Sequence, residues 1–335
     1  MHNLIGHNGG PLLNDAQALA FVQGQAYKVN QTVYEARFPD WDYARLVFVD
    51  TSGPAWSPGV LTYTSDLTGK ANWQSGAAKD IPLADVSQDM QLSTFHLAAI
   101  GYQYNIEEVN AAIQVGASLP SRRARAAKLA YTKFMWDLTI AGSTEKGKAG
   151  LINNAGITAA AAAADGTGSA RHWMANDGTV TKTAQQIMRD INQALTGTNV
   201  STNTVEWADT VLLPVEAFNL ISSTPFNSLG ADTILSWLLR TNNYTLTTGR
   251  PLTIRAMPQL RTASTQTVVG GGRLVAYKND QNYVKLNLPM PHQFLPVYQD
   301  GPLNWQVPGI FRTGGLDFQT LATFYYLDGI LPAPA

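Results

Sequence analysis

The chain has 335 residues, with 24 Asp and Glu against 23 Lys and Arg, a formal net charge of -1, and no cysteine. That balance argues against a protein whose affinity comes from neutralising many phosphates, and the missing thiols exclude disulfides, thiolate metal sites and thiol catalysis. Hydrophobic residues reach 45%, enough for a large core. Charged residues are only 14%, below the ~25% of typical soluble domains, a depletion also seen in the cores of protein interfaces.

Residues 1–50 hold one short helical pattern, at 15–22, and extended pieces at 34–39 and 45–49. The first ten residues lack the basic start and apolar run of a secretory signal. No segment reaches the ~18–20 apolar residues of a membrane span, so the expectation is a soluble chain made in the cytosol. Residues 50–89 are rich in Thr, Ser, Gly and Pro, and 59–65 alternate like a strand. A turn at 69–72 and Ile81-Pro-Leu follow, which predicts a two-stranded excursion.

Two helices come next. Asn105 and Glu108 have capping-box spacing and Gly116 is a stop signal. Ser118 can cap the second helix, with Pro120 in its first turn and Gly142 at its end. Ala126, Ala127, Ala130, Tyr131, Phe134 and Leu138 predict its apolar stripe. Arg122, Arg123, Arg125 and Lys128 add a basic strip, which is a solvated or subunit-contacting face or a non-specific nucleic-acid contact.

A third helix is expected at 181–196, its buried face carrying Ile187, Ile191 and Leu195, with Gly197 as its stop. Strands are expected at 209–213, 252–256, 273–277, 283–288 and 316–327, and a helix at 231–240. Without βαβ alternation, the class is α+β.

Candidate chemistry is sparse. Gly142, Gly147 and Lys148 match the spacing of a phosphate-binding loop, but a helix precedes them and Ala149 stands where a magnesium-binding hydroxyl belongs. A helix-ending turn explains them better. His2, His7, His96, His172 and His292 form no metal-ligand spacing, Glu107 and Glu108 suit a helix first turn, and no Gly-x-Ser-x-Gly elbow occurs. No catalytic, cofactor-binding or metal-binding residue is therefore assigned. Trp41, Trp56, Trp73 and Trp305 fall in apparent loops, where aromatics either cap a core or anchor a partner.

Four stretches, in order, carry a resemblance: Gly59-Val-Leu-Thr-Tyr-Thr-Ser through Asp80-Ile-Pro-Leu-Ala-Asp-Val; the helix over 122–140 with its glycine turn; Gly150-Leu-Ile-Asn-Asn-Ala-Gly-Ile; and Gln306-Val-Pro through Gly314-Gly-Leu and Tyr326-Leu-Asp-Gly-Ile. Together they resemble the major capsid proteins of tailed bacteriophages, whose Hong Kong 97-type fold is shared with encapsulin shells. The resemblance implies an N-terminal arm (1–50), an extended β-hairpin loop (51–92), a peripheral domain with a long spine helix (93–175 and 290–335) and an axial domain (176–289).

It also implies a non-enzymatic protein whose pentamers and hexamers close into an icosahedral shell around double-stranded DNA. The shell would be located in the virion and assembled in the cytoplasm of a bacterial host. Trp56, Tyr63, Lys70, Trp73 and Lys79 become expected intersubunit contacts. Arg122, Arg125 and Lys128 become an inner-face strip touching packaged DNA non-specifically. Portal, scaffolding and decoration proteins are possible further partners; no cofactor and no membrane are implied. An encapsulin-type compartment is the alternative, and an unrelated soluble enzyme the remote one.

Overall fold

The computed structural model describes residues 41–68, 73, 85–108, 119–227, 230, 232–265 and 271–333. The patterns expected at 15–22 and 34–39 lie outside the described residues. The first described part is extended: β1 (Phe48–Asp50), a long hairpin of β2 (Gly59–Thr68) and β3 (Asp85–Thr94), then β4 (His96–Ala99) and β5 (Tyr102–Asn105). The turn expected at 69–72 and the Ile81-Pro-Leu piece lie outside the described residues. A helical turn at 106–108 carries the expected box. The Glu108 N–H donates to Asn105 Oδ1 at 2.8 Å, and the Asn105 N–H donates to Glu108 Oε2 at 3.4 Å. The rest of that expected helix, with Gly116, lies outside the described residues.

Helix α1 (Leu119–Ala141) takes Pro120 in its first turn and ends at Gly142, whose φ of 71° is left-handed. Its buried stripe is Ala127, Tyr131, Met135 and Leu138. Ala126 and Phe134, expected in that stripe, face outward. An alanine-rich helix draws no sharp apolar boundary, so its buried face is set by what packs on it. The glycine turn forms a two-rung hairpin, β6 (Gly142–Ser143) and β7 (Lys148–Ala149), and the alanine tract yields β8 (Ala159–Ala161).

Helix α2 (Ala184–Ser201) is capped reciprocally by Thr183 and Gln186. Gly197 does not stop it, because the helix runs on to Ser201. A Cβ at Gly197 would lie 2.5 Å from the Tyr325 ring, so the glycine permits a close approach. Strand β9 (Thr210–Leu213) leads through Pro214 into α3 (Val215–Ser223). Helices α4 (Ile234–Thr241) and α5 (Asn243–Thr248) follow, capped by Thr233 and Asn242. Sequence reasoning found neither α3 nor α5.

The remainder is β: β10 (Thr253–Ala256), β11 (Arg273–Tyr277), β12 (Val284–Asn287), β13 (Met290–Phe294), β14 (Tyr298–Gln299), β15 (Asn304–Val307), β16 (Gly309–Thr313), β17 (Gly315–Phe318) and β18 (Phe324–Asp328). The stretch expected as one strand at 316–327 is therefore β17 and β18 with a 3-10 turn between them. Three small sheets, ordered β1-β12-β17, β13-β16-β4 and β14-β15-β5, join strands from before α1 to strands from the C-terminal third.

The largest sheet among the described residues has the order β10-β9-β11-β18-β8, and its central strands are buried on both faces. Strand alternation sends Leu212, Val275, Tyr277, Phe324 and Tyr326 to a core shared with Tyr131, Met135 and Leu138 of α1. The intervening Val211, Leu213, Leu274, Ala276 and Leu327 enter a second core with Ile187, Ile191 and Leu195 of α2. Burial on both faces explains the continuous apolar runs in β9 and β11.

Arg273 and Asp328 are register partners in this sheet and form a buried two-pronged ion pair, Nε to Oδ1 at 2.6 Å and Nη2 to Oδ2 at 2.8 Å. Arg273 also donates to the Ile152 carbonyl at 2.7 Å and lies over the Tyr326 ring at 4.2 Å. Arg273→Ala leaves the Asp328 carboxylate buried and uncompensated. It is expected to lower the unfolding free energy of the free subunit by about 3–5 kcal/mol, whereas the double exchange Arg273→Met with Asp328→Leu loses far less. Urea denaturation of the two variants checks this.

At the start of α2, Lys182 is fully buried and pairs with Asp190 at 2.6 Å and Asp165 at 3.2 Å; Arg189 spans both carboxylates. The hydrogen bond from Arg189, opposed by desolvation and aided by Lys182, holds the Asp165 carboxyl down to about 2. A depressed carboxyl stabilises the fold above its unfolded value near ~3.9, and that contribution disappears as pH falls through about 2. Asp165→Asn is thus expected to flatten the fall of stability between about pH 4 and pH 2, measured by urea titration at each pH.

Candidate interaction surface

The β2–β3 hairpin pairs residue for residue over ten rungs, from Gly59↔Thr94 to Thr68↔Asp85. Side chains alternate between the two faces of such a ladder. Leu61 opposite Leu92 and Tyr63 opposite Met90 therefore share one face with Val86. The other face carries Val60 opposite Ser93 and Thr62 opposite Gln91. Ser65 and Gln88 lie on the first face too, by register; its five apolar residues Leu61, Tyr63, Val86, Met90 and Leu92 are all exposed, from 48% at Leu61 to 65% at Tyr63. A half-buried antiparallel strand turns its apolar side inward; here that side is the wet one.

Sequence reasoning identified Tyr63 but missed Leu61, Val86, Met90 and Leu92. The usable signal was the period-two run of Val86, Gln88, Met90 and Leu92, diluted by the polar residues between.

Of the other expected contact residues, Trp73 is fully exposed. Trp56 is largely exposed, but the Arg312 guanidinium lies 5.6 Å above its ring, and Arg312 also donates to the Ala55 carbonyl at 2.8 Å. Trp56 thus packs partly against its own chain. Lys70 and Lys79 lie outside the described residues.

Arg122, Arg125 and Lys128 are exposed along the first half of α1, and Lys133 extends them. Arg123 points elsewhere. It pairs with Glu108 at 2.8 Å and lies 5.2 Å from the centre of the Tyr104 ring.

The glycine–lysine turn after α1 is unsuited to phosphate. It follows the C-terminal end of a helix, where carbonyls and the negative end of the dipole lie, and anions favour the opposite end. Asn153 closes this helix end, donating to the Ala141 carbonyl at 2.7 Å and accepting the Gly150 N–H at 2.8 Å. Lys148 is half-buried and donates to Ser93 Oγ at 3.3 Å, which ties the turn to the root of the hairpin. Burial pulls its pKa down, and the charge of Asp317 opposes that shift.

Among the described residues, no group of three or more His, Asp or Glu side chains could hold a metal ion. No described helix is long and apolar enough to cross a membrane.

The sequence model of the family described as major capsid protein matches residues 69–330. No curated protein matches the chain. Among solved structures, the capsid of Myoviridae phage XM1 is similar with a TM-score of 0.74 at 18% identity, over 96% of this chain and 100% of that one. A chain from Mycobacterium phage Che8 gives 0.54 at 12% identity, over 90% and 96%. The capsid of a native GTA particle, computed with C5 symmetry, gives 0.57 at 9% identity, over 100% of both chains. At these identities the structural likenesses establish a shared fold.

Proposed function

Because the chain belongs to the major capsid protein family, we propose that its exposed hairpin is the clasp by which copies hold one another in a shell. As a major capsid protein it is a virion component that assembles into an icosahedral head, and its α+β architecture is the Hong Kong 97-type fold. The observation that carries the clasp is the apolar face of β2–β3.

A lone two-stranded ribbon is marginal in water. Covering Leu61, Tyr63, Val86, Met90 and Leu92 with another copy contributes on the order of 5 kcal/mol per hairpin before ordering costs are subtracted. That is modest for one contact. In a closed shell every copy both gives and receives a hairpin, and the contacts act together through multivalency.

The copies are arranged as pentamers and hexamers through head-to-tail contacts, which close into rings when the rotation allows. The proposed parts are an arm at 1–50, a clasping loop at 51–92, a peripheral region at 93–175 and 290–335, and an axial region at 176–289. Pairing of β4 and β5 with β16 and β15 supports joining the two peripheral stretches. The cluster centred on α2, α3 and α4 supports an axial unit.

The exposed Arg122, Arg125 and Lys128 strip would meet the backbone of packaged double-stranded DNA through sequence-independent charge contacts. Assembly in the bacterial cytoplasm, contacts to portal, scaffolding and decoration proteins, and the absence of catalysis complete the proposal.

Val60 and Ser93 are register partners, so residues 61–92 can be replaced by a short Gly/Ser turn that keeps the Lys148–Ser93 contact. The expected outcome is a folded subunit, by circular dichroism and cooperative melting, that forms no stable particles by electron microscopy. Normal-sized particles from this deletion would overturn the clasp.

A further inference from the structure

Two features of this chain match one another. The first is Trp73, fully exposed beyond the far end of β2 in sequence. The second is a cavity of about 320 Å³ beside the root of the hairpin. Its apolar walls are Leu97 and Ala98 of β4 with Phe134 and Leu138 of α1, and Glu145, Lys146 and Lys148 also line it. We propose that Trp73 of one copy seats in this cavity of a neighbouring copy, as the anchor of the clasp. The inference rests on the shell reading and deepens it by naming the knob and its socket.

Size agrees. The cavity lies at the small end of the ~300–1,000 Å³ range of ligand pockets, suited to one aromatic group rather than a cofactor. An indole brings roughly 150–250 Å² of surface to bury. Leu97 and Phe134 are 56% and 45% exposed, so the socket is wet until something fills it. The outward position of Phe134, unexpected from the stripe of α1, thereby acquires a use.

Charge agrees as well. Residues 59–94 carry Asp66, Asp80, Asp85 and Asp89 against Lys70 and Lys79, so the hairpin is acidic. Of the lining cations, Lys146 pairs with Glu145 at 2.8 Å, whereas half-buried Lys148 donates to the neutral Ser93 hydroxyl. An ammonium group beside a tryptophan face is a favourable cation–π partner, and more so when partly desolvated.

Knob and socket belong to different copies. A ten-residue strand spans about 33 Å, and the five steps from Thr68 to Trp73 can recover at most about 18 Å of that. Trp73 therefore falls short of the socket at its own hairpin's root. A knob that fits a socket elsewhere on the same chain makes a head-to-tail contact, the kind that closes into rings.

The absence of native cysteine gives a clean test. Particles carrying Trp73→Cys and Leu97→Cys together, treated with a short bis-maleimide, are expected to give a denaturing-gel ladder of covalent oligomers ending at five or six copies. Particles carrying either cysteine alone are expected to give no such ladder. As a second readout, the fluorescence of wild type minus that of Trp73→Phe isolates one indole, and its emission should shift to the blue on assembly. Trp73→Ala should raise the concentration needed for assembly by roughly tenfold or more. Normal particles with no ladder and no blue shift would overturn the inference while leaving the shell reading intact. A wild-type chain that forms no particles would overturn both.

Discussion

Water and one face of a two-stranded ribbon set the terms for this molecule. Leu61, Tyr63, Val86, Met90 and Leu92 stand on the same side of β2–β3 and are exposed. A protein that folded only for itself would turn that side onto its core. This chain places polar Thr62 and Gln91 on the opposite face instead. On the proposed reading, a second copy supplies the missing layer. The low content of charged residues, 14%, points the same way, since charge is what interface cores exclude.

Such a clasp works only if its root is firm. The two-faced sheet supplies that firmness by holding the α1 core and the α2 core together, so neither helix can shift without disturbing β9, β11 and β18. Arg273 and Asp328 lock the register of β11 against β18. The β6–β7 turn then connects the end of α1 to the hairpin through Lys148 and Ser93. That contact sets the hairpin root beside the end of the longest helix among the described residues.

Much of this was legible in the sequence where local chemistry decides structure. Pro120 and Gly142 mark the ends of α1 because one lacks an N–H and the other tolerates a left-handed φ. The Asn105–Glu108 box and the apolar runs of β9 and β11 are equally local signals. The failures share one cause, which is dependence on distant residues. Gly197 reads as a stop but exists to let Tyr325 approach. Phe134 reads as core but borders a wet socket. A two-stranded excursion was expected, but the bounds of β3 were hidden because its polar residues outnumber its apolar ones. The order of parts still pointed to the capsid family, because a long helix and a Gly/Pro/Thr-rich excursion survive where individual motifs are weak.

Hydroxyl-radical footprinting of the hairpin in two states tests the central claim most directly. The account predicts that Leu61, Tyr63 and Leu92 label readily in the free subunit and become strongly protected in assembled particles, while Thr62 and Gln91 change less. Equal labelling of the apolar face before and after assembly would mean that no neighbour covers it, and the clasp would have to be abandoned.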